Sequence, residues 1–296
     1  MLNNKPEVSI GMPIYNAEKY LRESLDSLLS QSFEDFELII SDNASTDNTS
    51  NICLEYSAKD NRIRYIRQKE TTKPWINFKY VLDEAQADYF MWNAHDDYKS
   101  PDYIELNYNF LTSNPEYVAS TCPNKFETFE SDVSFSLDED DMYERYVKFF
   151  TNVYFSHGIF YSLIRRNILI ECDPLNDKFE YLGLDWCVDM FLLTNGKINL
   201  TDTGFTYFHG GGFSLRPNNV KLMQSLFIER LIPYYRFGKY VMRLSKCLSF
   251  VNQMKTLNLL IKMNIQVLYL RLRYNVKSIL IFFHLMQPRD NVTKKT

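Results

Sequence analysis

The sequence predicts an α/β protein built on a mostly parallel, doubly wound sheet of Rossmann-like type, with a helical extension at its C-terminal end. Three observations predict it. Short apolar runs alternate with amphipathic stretches over the first hundred residues, at the spacing of βαβ units. Polar clusters follow three of the four predicted strands, at residues 13–16, 42–47 and 95–97, where such sheets hold their ligands. After Pro217 the composition changes to Leu, Ile, Met, Tyr and Phe with Lys and Arg at intervals, and Gly238 is the one glycine.

The elements follow in order. VSIGMPI opens the chain as a first strand ending at Pro13. Leu21, Leu25, Leu28 and Leu29 recur at helical spacing, so residues 17–29 read as an amphipathic helix. FELIIS at 36–41 is an apolar run of the kind buried in a parallel sheet. DNASTDNT at 42–49 is a polar turn that supplies caps to a helix over 50–58. Residues 63–68 read as a third strand, 76–87 as a helix and 87–92, ADYFMW, as a fourth strand running into Asn93-Ala94-His95-Asp96-Asp97. The acidic stretch 126–144 reads as a solvated surface segment or a lid. YFSHGIFYSLIRR at 154–166 reads as a strand running into a helix, and a further helix begins at Asp185.

At 296 residues and 45% hydrophobic content the chain can bury one sizeable α/β domain with an appendage. Residues 1–216 are assigned to the α/β domain and 217–296 to a basic amphipathic extension. The 16% of aromatic residues suit a large core and a cleft that stacks on flat ligands. Cysteines stand at 53, 122, 172, 187 and 247 with no CxxC pair, which argues against a structural zinc site and against a disulfide framework. A reducing compartment fits. The first residues run straight into a strand without the pattern of a signal peptide, and no apolar run reaches ~18 residues. The expected place is the cytoplasm, in solution or peripheral on the inner face of the plasma membrane.

The net charge of −4 divides unevenly. From Pro217 onward 14 basic residues meet two acidic ones, so the extension carries +12 and the rest −16. Its basic residues alternate with large aliphatic ones, which suits an anionic membrane surface and not nucleic acid. The same helices could instead pack on the acidic domain or form a homo-oligomer interface. There is no GxxxxGK[ST], no GxGxxG after the first strand, no GxSxG and no HExxH.

Several residues can carry chemistry. Asp96 and Asp97 lie at a strand end, where adjacent carboxylates need a cation and a divalent ion takes oxygen ligands. The alternative is a helix-capping pair before Pro101. Asp42 can accept a base imide N–H, or close an Asx-turn in its polar segment. Asp185 stands at a predicted helix start, as a cap or as a general base. His209 precedes three glycines, so backbone can approach a ligand and the imidazole can meet a metal or a diphosphate. His157 reads as structural.

Taken together these segments resemble family 2 glycosyltransferases, inverting enzymes of the GT-A fold, over roughly residues 7–215. VSIGMPIYNAEKYLRESLDSLLSQSFEDFELIISDNASTDNT is similar to the family's opening, a PxYN-type turn and a strand ending in a [VS]D[DN]xSxD turn. The resemblance implies that Pro13, Tyr15 and Asn16 line the nucleotide pocket and that Asp42 contacts the base. NFKYVLDEAQADYFMWNAHDDYKSPDYIE resembles the segment leading into the DxD motif, with Ala94 in place of its first Asp. Asp96 then holds the metal, Mn2+ or Mg2+, with Asp97 beside it; some members carry HDD here. GLDW at 183–186 is similar to an ED-type motif, with Leu184 in place of its first acid, and implies Asp185 as catalytic base. His209 falls where members carry a His near the diphosphate. No QxxRW-like motif exists, since the tryptophans stand at 75, 92 and 186, so a processive synthase is not expected.

The expected reaction is a single displacement from a nucleoside-diphosphate sugar, uridine or thymidine favoured, to a glycan or lipid-linked acceptor. Two rivals remain: a sugar nucleotidyltransferase, which would need a Gly-rich basic loop where MPIYNAEKY stands, and a non-catalytic binding module, to which Ala94 and Leu184 point.

Overall fold

The computed structural model describes residues 5–127, 134–176, 183–209 and 228–285, with side chains of the last helix described to residue 269. Its centre is β1 (Val8–Ile14), all seven residues of which are buried, as a strand covered on both faces must be. β1 pairs in parallel with β2 (Phe36–Asp42) on one side and β4 (Tyr89–Trp92) on the other, and β3 (Ile63–Arg67) extends the sheet beyond β2. The chain winds outward from β1 to β3 and then crosses to the opposite side of β1. The switch point therefore falls between β1 and β4, where a crevice opens outside the carboxyl ends of the strands.

Pro13 is tolerated in this central strand for a topological reason. The Gly11 carbonyl faces β4, accepting from the Asn93 N–H, and the Ile14 carbonyl faces β2, accepting from the Asn43 N–H. Alternation turns the Pro13 nitrogen toward β4's side, past its last paired residue Trp92, so no ladder bond is lost. Gly11 is small because Phe90 and Val81 press on it; a Cβ there would lie 2.7 Å from each.

The crossover helices are α1 (Leu21–Leu29), α2 (Thr49–Ser57) and α3 (Pro74–Asp83). α1 buries Leu21, Leu25 and Leu28 of the predicted stripe together with Ser24, while Leu29 is half-buried. It starts later than expected because residues 17–20 form a turn, with the Tyr20 and Leu21 N–H groups both on the Ala17 carbonyl. α3 carries its proline in the first turn, where the missing N–H costs nothing.

Beyond β4 come β5 (Asp97–Lys99), α4 (Tyr103–Ser113), β6 (Tyr117–Thr121), β7 (Asn124–Phe126), α5 (Met142–Asn152), α6 (His157–Phe160), β8 (Leu163–Arg165), α7 (Arg166–Leu169), α8 (Asp173–Asn176), α9 (Leu184–Asn195), β9 (Lys197–Leu200) and β10 (Thr206–Phe208). The main sheet runs β3-β2-β1-β4-β8-β6-β9, and a small one runs β5-β10-β7. The segment 154–166 reverses its predicted order: a short turn and α6 come first and the strand second. β8 fills an antiparallel slot between β4 and β6, pairing Phe90 with Ile164 and Ser120 with Leu163. A short apolar run buried on both faces has no period that separates strand from helix, so only its neighbours decide.

Two apolar cores lie on the two faces of the sheet. One joins α1, α2 and α4 to β1 through Ile10, Leu25 and Ile104. The other gathers Phe90 and Trp92, α5 and α9, and reaches into the extension. The extension holds α10 (Ile228–Leu231), α11 (Tyr235–Leu244) and α12 (Phe250–Leu285). Phe237, Tyr240 and Val241 of α11 and Leu260 and Met263 of α12 are buried in that core. Acidic body and basic extension thus share packed side chains. Among the described residues no helix is long and apolar enough to cross a membrane.

Candidate active site

Three strand ends and one helix start converge on one edge of the sheet. The first is the turn after β2. Asp42 ends that strand, fully buried, with both carboxylate oxygens engaged. Oδ1 accepts from the Ser45 N–H at 2.8 Å; Oδ2 accepts from the Tyr65 hydroxyl at 2.9 Å, Ser50 Oγ at 3.0 Å and the Arg67 guanidinium at 3.2 Å. Burial, with the Asp42 charge adding to it, pushes the Tyr65 hydroxyl up to about 12. Asp42 is thus a hub of its own turn, as an Asx-type reading of the sequence expects, and it meets a base only if a donor is exchanged.

The turn after β1 locks onto this hub. Asn16 sits in the left-handed region at φ 50°, which Asn tolerates better than most residues. Its N–H donates to Ser45 Oγ at 2.9 Å and its Oδ1 accepts from the Thr46 N–H at 2.8 Å. The Ala17 N–H donates to Thr49 Oγ1 at 2.7 Å. Tyr15, beside buried Pro13, stands 46% exposed over the crevice mouth. Sequence reasoning missed Tyr65, Ser50 and Arg67, which come to Asp42 from other elements.

The second cluster ends β4. Asn93 is buried and donates to Ser24 Oγ of α1 at 3.0 Å, which anchors the turn into β5. Asp97 opens β5 and is buried, whereas Asp96 beside it is partly open. Burial, reinforced by the Asp96 charge, pushes the Asp97 carboxyl well above the carboxylate range; Lys99 and the His209 N–H pull the other way. Lys99 is itself buried, donating to Thr206 Oγ1 at 3.1 Å with its ammonium 4.0 Å from the Tyr103 ring centre. Burial lowers it to about 8 against the attraction of Asp97. Burial also lowers His95, opposed by the charges of Asp96 and of Asp47 from the β2–α2 turn.

The third cluster is the far wall. Asp185 opens α9 and is solvent-exposed, yet protein mass around the cleft raises its carboxyl, with His157 of α6 opposing. Tyr161, just after α6, is pushed far up by burial and by three carboxyls, Asp97, Asp96 and Asp185. Its hydroxyl is thus within electrostatic reach of both the β4 cluster and Asp185 of α9. One turn deeper on α9, Asp189 is 1% exposed, and neither of its oxygens finds a hydrogen-bond partner among the described residues. Burial and the Asp185 charge hold its proton on; the nearby Ser156 hydroxyl works slightly the other way. Asp189 had a readable signal, a lone acid within the apolar run WCVDMFLL. Tyr161 had none.

His209 follows β10. Its ring stacks on Tyr20 at 4.4 Å, with Nε2 3.5 Å from the Glu23 carboxylate and Nδ1 3.8 Å from that of Glu127. Its N–H reaches Asp97 while its imidazole turns toward α1. Among the described residues no three His, Cys, Asp or Glu side chains are grouped to hold a metal. The His209 imidazole, turned toward α1, is not brought to the carboxylates after β4 as the sequence reading expected, but Asp96 and Asp97 supply hard oxygen donors, and a cation would relieve the burial of Asp97. That donor set fits a divalent ion. Gly210, Gly211 and Gly212 lie outside the described residues.

The family model described as Glycosyl transferase family 2 matches residues 9–172. The chain is 38% identical over 117 residues to the putative glycosyltransferase EpsE of Bacillus subtilis, covering 39% of this chain and 42% of that protein. It is 34% identical over 111 residues to the putative teichuronic acid biosynthesis glycosyltransferase TuaG of the same organism, covering 38% and 44%. Less than half the length of either relative is spanned. Among solved structures, S. aureus TarS residues 1–349 in complex with UDP-GlcNAc superposes with a TM-score of 0.65 at 18% identity, over 85% of this chain and 70% of that one. A Pyrobaculum calidifontis mannosyltransferase, PcManGT, in complex with GDP-Man and Mn2+, superposes at 0.53 with 14% identity, over 88% and 74%. At such identities the likeness is one of fold, and the fold is GT-A.

Proposed function

Because this chain belongs to glycosyl transferase family 2, we propose that it moves a single sugar, with inversion, from a nucleoside-diphosphate sugar to a hydroxyl of a glycan or lipid-linked acceptor. The observation that supports the reading is that the charges of Asp96, Asp97 and Asp185 all reach the Tyr161 hydroxyl, so the acids after β4 and the acid of α9 act on one group. On this reading the acids after β4 serve the leaving-group side and Asp185, 89 positions after Asp96, the base side.

The roles follow from placement. Pro13, Tyr15, Asn16 and the Asp42 turn form the nucleotide side, with Asp42 shaping the base pocket. A uridine donor is favoured, since TarS is known with UDP-GlcNAc; thymidine would read alike. Asp96, with Asp97 beside it, would hold a divalent cation, Mn2+ or Mg2+, whose chemistry is to neutralise the departing diphosphate. PcManGT with Mn2+ supports that reading. Asp185 takes the proton of the acceptor hydroxyl as its oxygen bonds to the anomeric carbon and the bond to the diphosphate oxygen breaks on the opposite face. His157 orients the Asp185 carboxylate. The assignment of TuaG to teichuronic acid biosynthesis points to a cell-surface polysaccharide as product, and the +12 extension to an enzyme held against an anionic membrane.

The test is a donor panel that reads released nucleoside diphosphate with Mn2+, with Mg2+ and with EDTA. Release from one donor, abolished by EDTA and by Asp96→Ala, is the expected outcome. No release from any donor leaves a binding module, and release that is indifferent to EDTA and to Asp96→Ala removes the metal from the reading.

A further inference from the structure

The described residues expose large apolar side chains unevenly. Before residue 150 these are Tyr15, Leu54 and Ile76; twelve follow, seven of them on α12 between Phe250 and Tyr269. At 3.6 residues per turn Phe250, Met254, Leu257, Ile261 and Ile265 fall within an arc of about 80° and run for about 22 Å. They are 38 to 73% exposed. The face of α12 that packs on the body, with Thr256, Leu260 and Met263, lies about 140° away. The helix therefore carries two apolar faces, one covered by protein and one not. Lys255 and Lys262 are exposed on the same helix, about 60–80° beyond the edge of the open face, with the Lys255 ammonium 5.4 Å from the Tyr143 ring centre.

We infer that this stripe of α12 is the face on which the protein lies against an anionic lipid bilayer, an inference that rests on the membrane reading proposed above. Charge chooses the occupant. A helix in the plane of a bilayer buries its apolar arc and keeps lysines to the side of that arc, where their stems reach the headgroups. The extension has 14 basic residues to two acidic, and Glu229 is engaged with Arg236 at 2.7 and 2.8 Å. A second copy would set two +12 extensions side by side, which repels; an anionic leaflet attracts them. The −16 of residues 1–216 is repelled by the same leaflet, which orients the body away from the lipid. Trp186, next to Asp185, packs on Tyr234 and Phe237 of the extension at 5.0 and 6.0 Å, so the base side of the cleft is tied to the docked element.

The experiment is sedimentation of the full chain with phosphatidylglycerol/phosphatidylcholine vesicles and with phosphatidylcholine alone, at low and high salt. It is paired with sedimentation equilibrium without lipid and with the soluble nucleotide-release assay. The native chain should bind the anionic vesicles, less at high salt, and not the neutral ones. Leu257→Glu with Ile261→Glu, both exposed, should weaken binding by about ten-fold or more, and Lys255→Glu with Lys262→Glu by roughly ten-fold, with nucleotide release unchanged. If the native chain binds and the stripe variant binds equally well, another face docks and the inference falls while the membrane reading stands. If the native chain binds no anionic vesicle, both fall. If the native chain is a dimer that the stripe variant splits, a second copy covers the stripe and the inference is overturned. The release assay reports on the transferase reading separately from all three.

Discussion

The β2–α2 turn and the α6–α9 wall border the same cleft, linked by His95, Asp96 and Tyr161, yet they treat a buried carboxyl in opposite ways. Asp42 is fully buried and accepts from four donors drawn from three elements. Asp189 is as deeply buried and meets no partner in hydrogen-bond geometry among the described residues, and burial with the Asp185 charge raises its carboxyl well above the usual range, with Ser156 opposing. The turn on the donor side is assembled by the chain itself. The wall on the acceptor side holds polar groups that packing alone does not satisfy: Asp189, Ser156 and, near them, Asn124 Oδ1. Buried polar groups cost stability unless paired, and others without partners among the described residues, Asn93 Oδ1 and both His209 nitrogens, lie by the end of β4, so the cleft keeps chemistry at the expense of stability where the Asp42 turn does not.

The comparison can be broken at its strongest point first. Asp185→Asn keeps the shape of the acceptor-side residue but cannot take a proton, and kcat should fall by about 10²–10⁴ while donor KM holds. Because the protein mass around the cleft raises the Asp185 carboxyl and the base works only deprotonated, native activity should fade on acidification above the ordinary Asp value of ~3.9. A kcat within a few-fold of native in Asp185→Asn would move the base elsewhere.

The two buried aspartates should then give opposite signs. Asp42→Ala strips a hub and strands the Tyr65 hydroxyl; Arg67, 46% exposed, recovers water. A loss of about 2–4 kcal/mol in urea unfolding is expected. Asp189→Leu removes a buried carboxyl with nothing to bond and should gain about 1–3 kcal/mol at pH 7. The sign of its pH dependence follows from linkage. A carboxyl whose folded value is raised costs stability above its unfolded value, so the gain should shrink as pH falls toward ~3.9 and vanish below it. Equal destabilisation by both substitutions, or a gain from Asp189→Leu that does not depend on pH, would mean that the two regions do not differ as described.

What the sequence by itself determined is the part whose information is local. The strands of VSIGMPI, FELIIS and ADYFMW are apolar runs bounded by polar turns, and they appear as β1, β2 and β4 within a residue or two. The positions of Asp42, Asp96 and Asp97 at strand ends follow from those boundaries. The tertiary structure decided what depends on pairing between distant segments. Leu163–Arg165 is a strand because an antiparallel slot between β4 and β6 was open to it. Asp42 became a satisfied hub because β3 brought Tyr65 and Arg67 alongside. The charges of three carboxyls reach Tyr161 because α6 packs on α9 and stacks Phe160 on Trp92 of β4, and Tyr240 joined the core of the body although its segment reads as a separate basic extension. Hydrophobic period and turn chemistry report the conformation of a few consecutive residues, whereas contacts across the chain are fixed by which faces must be buried together, and no single stretch carries that information.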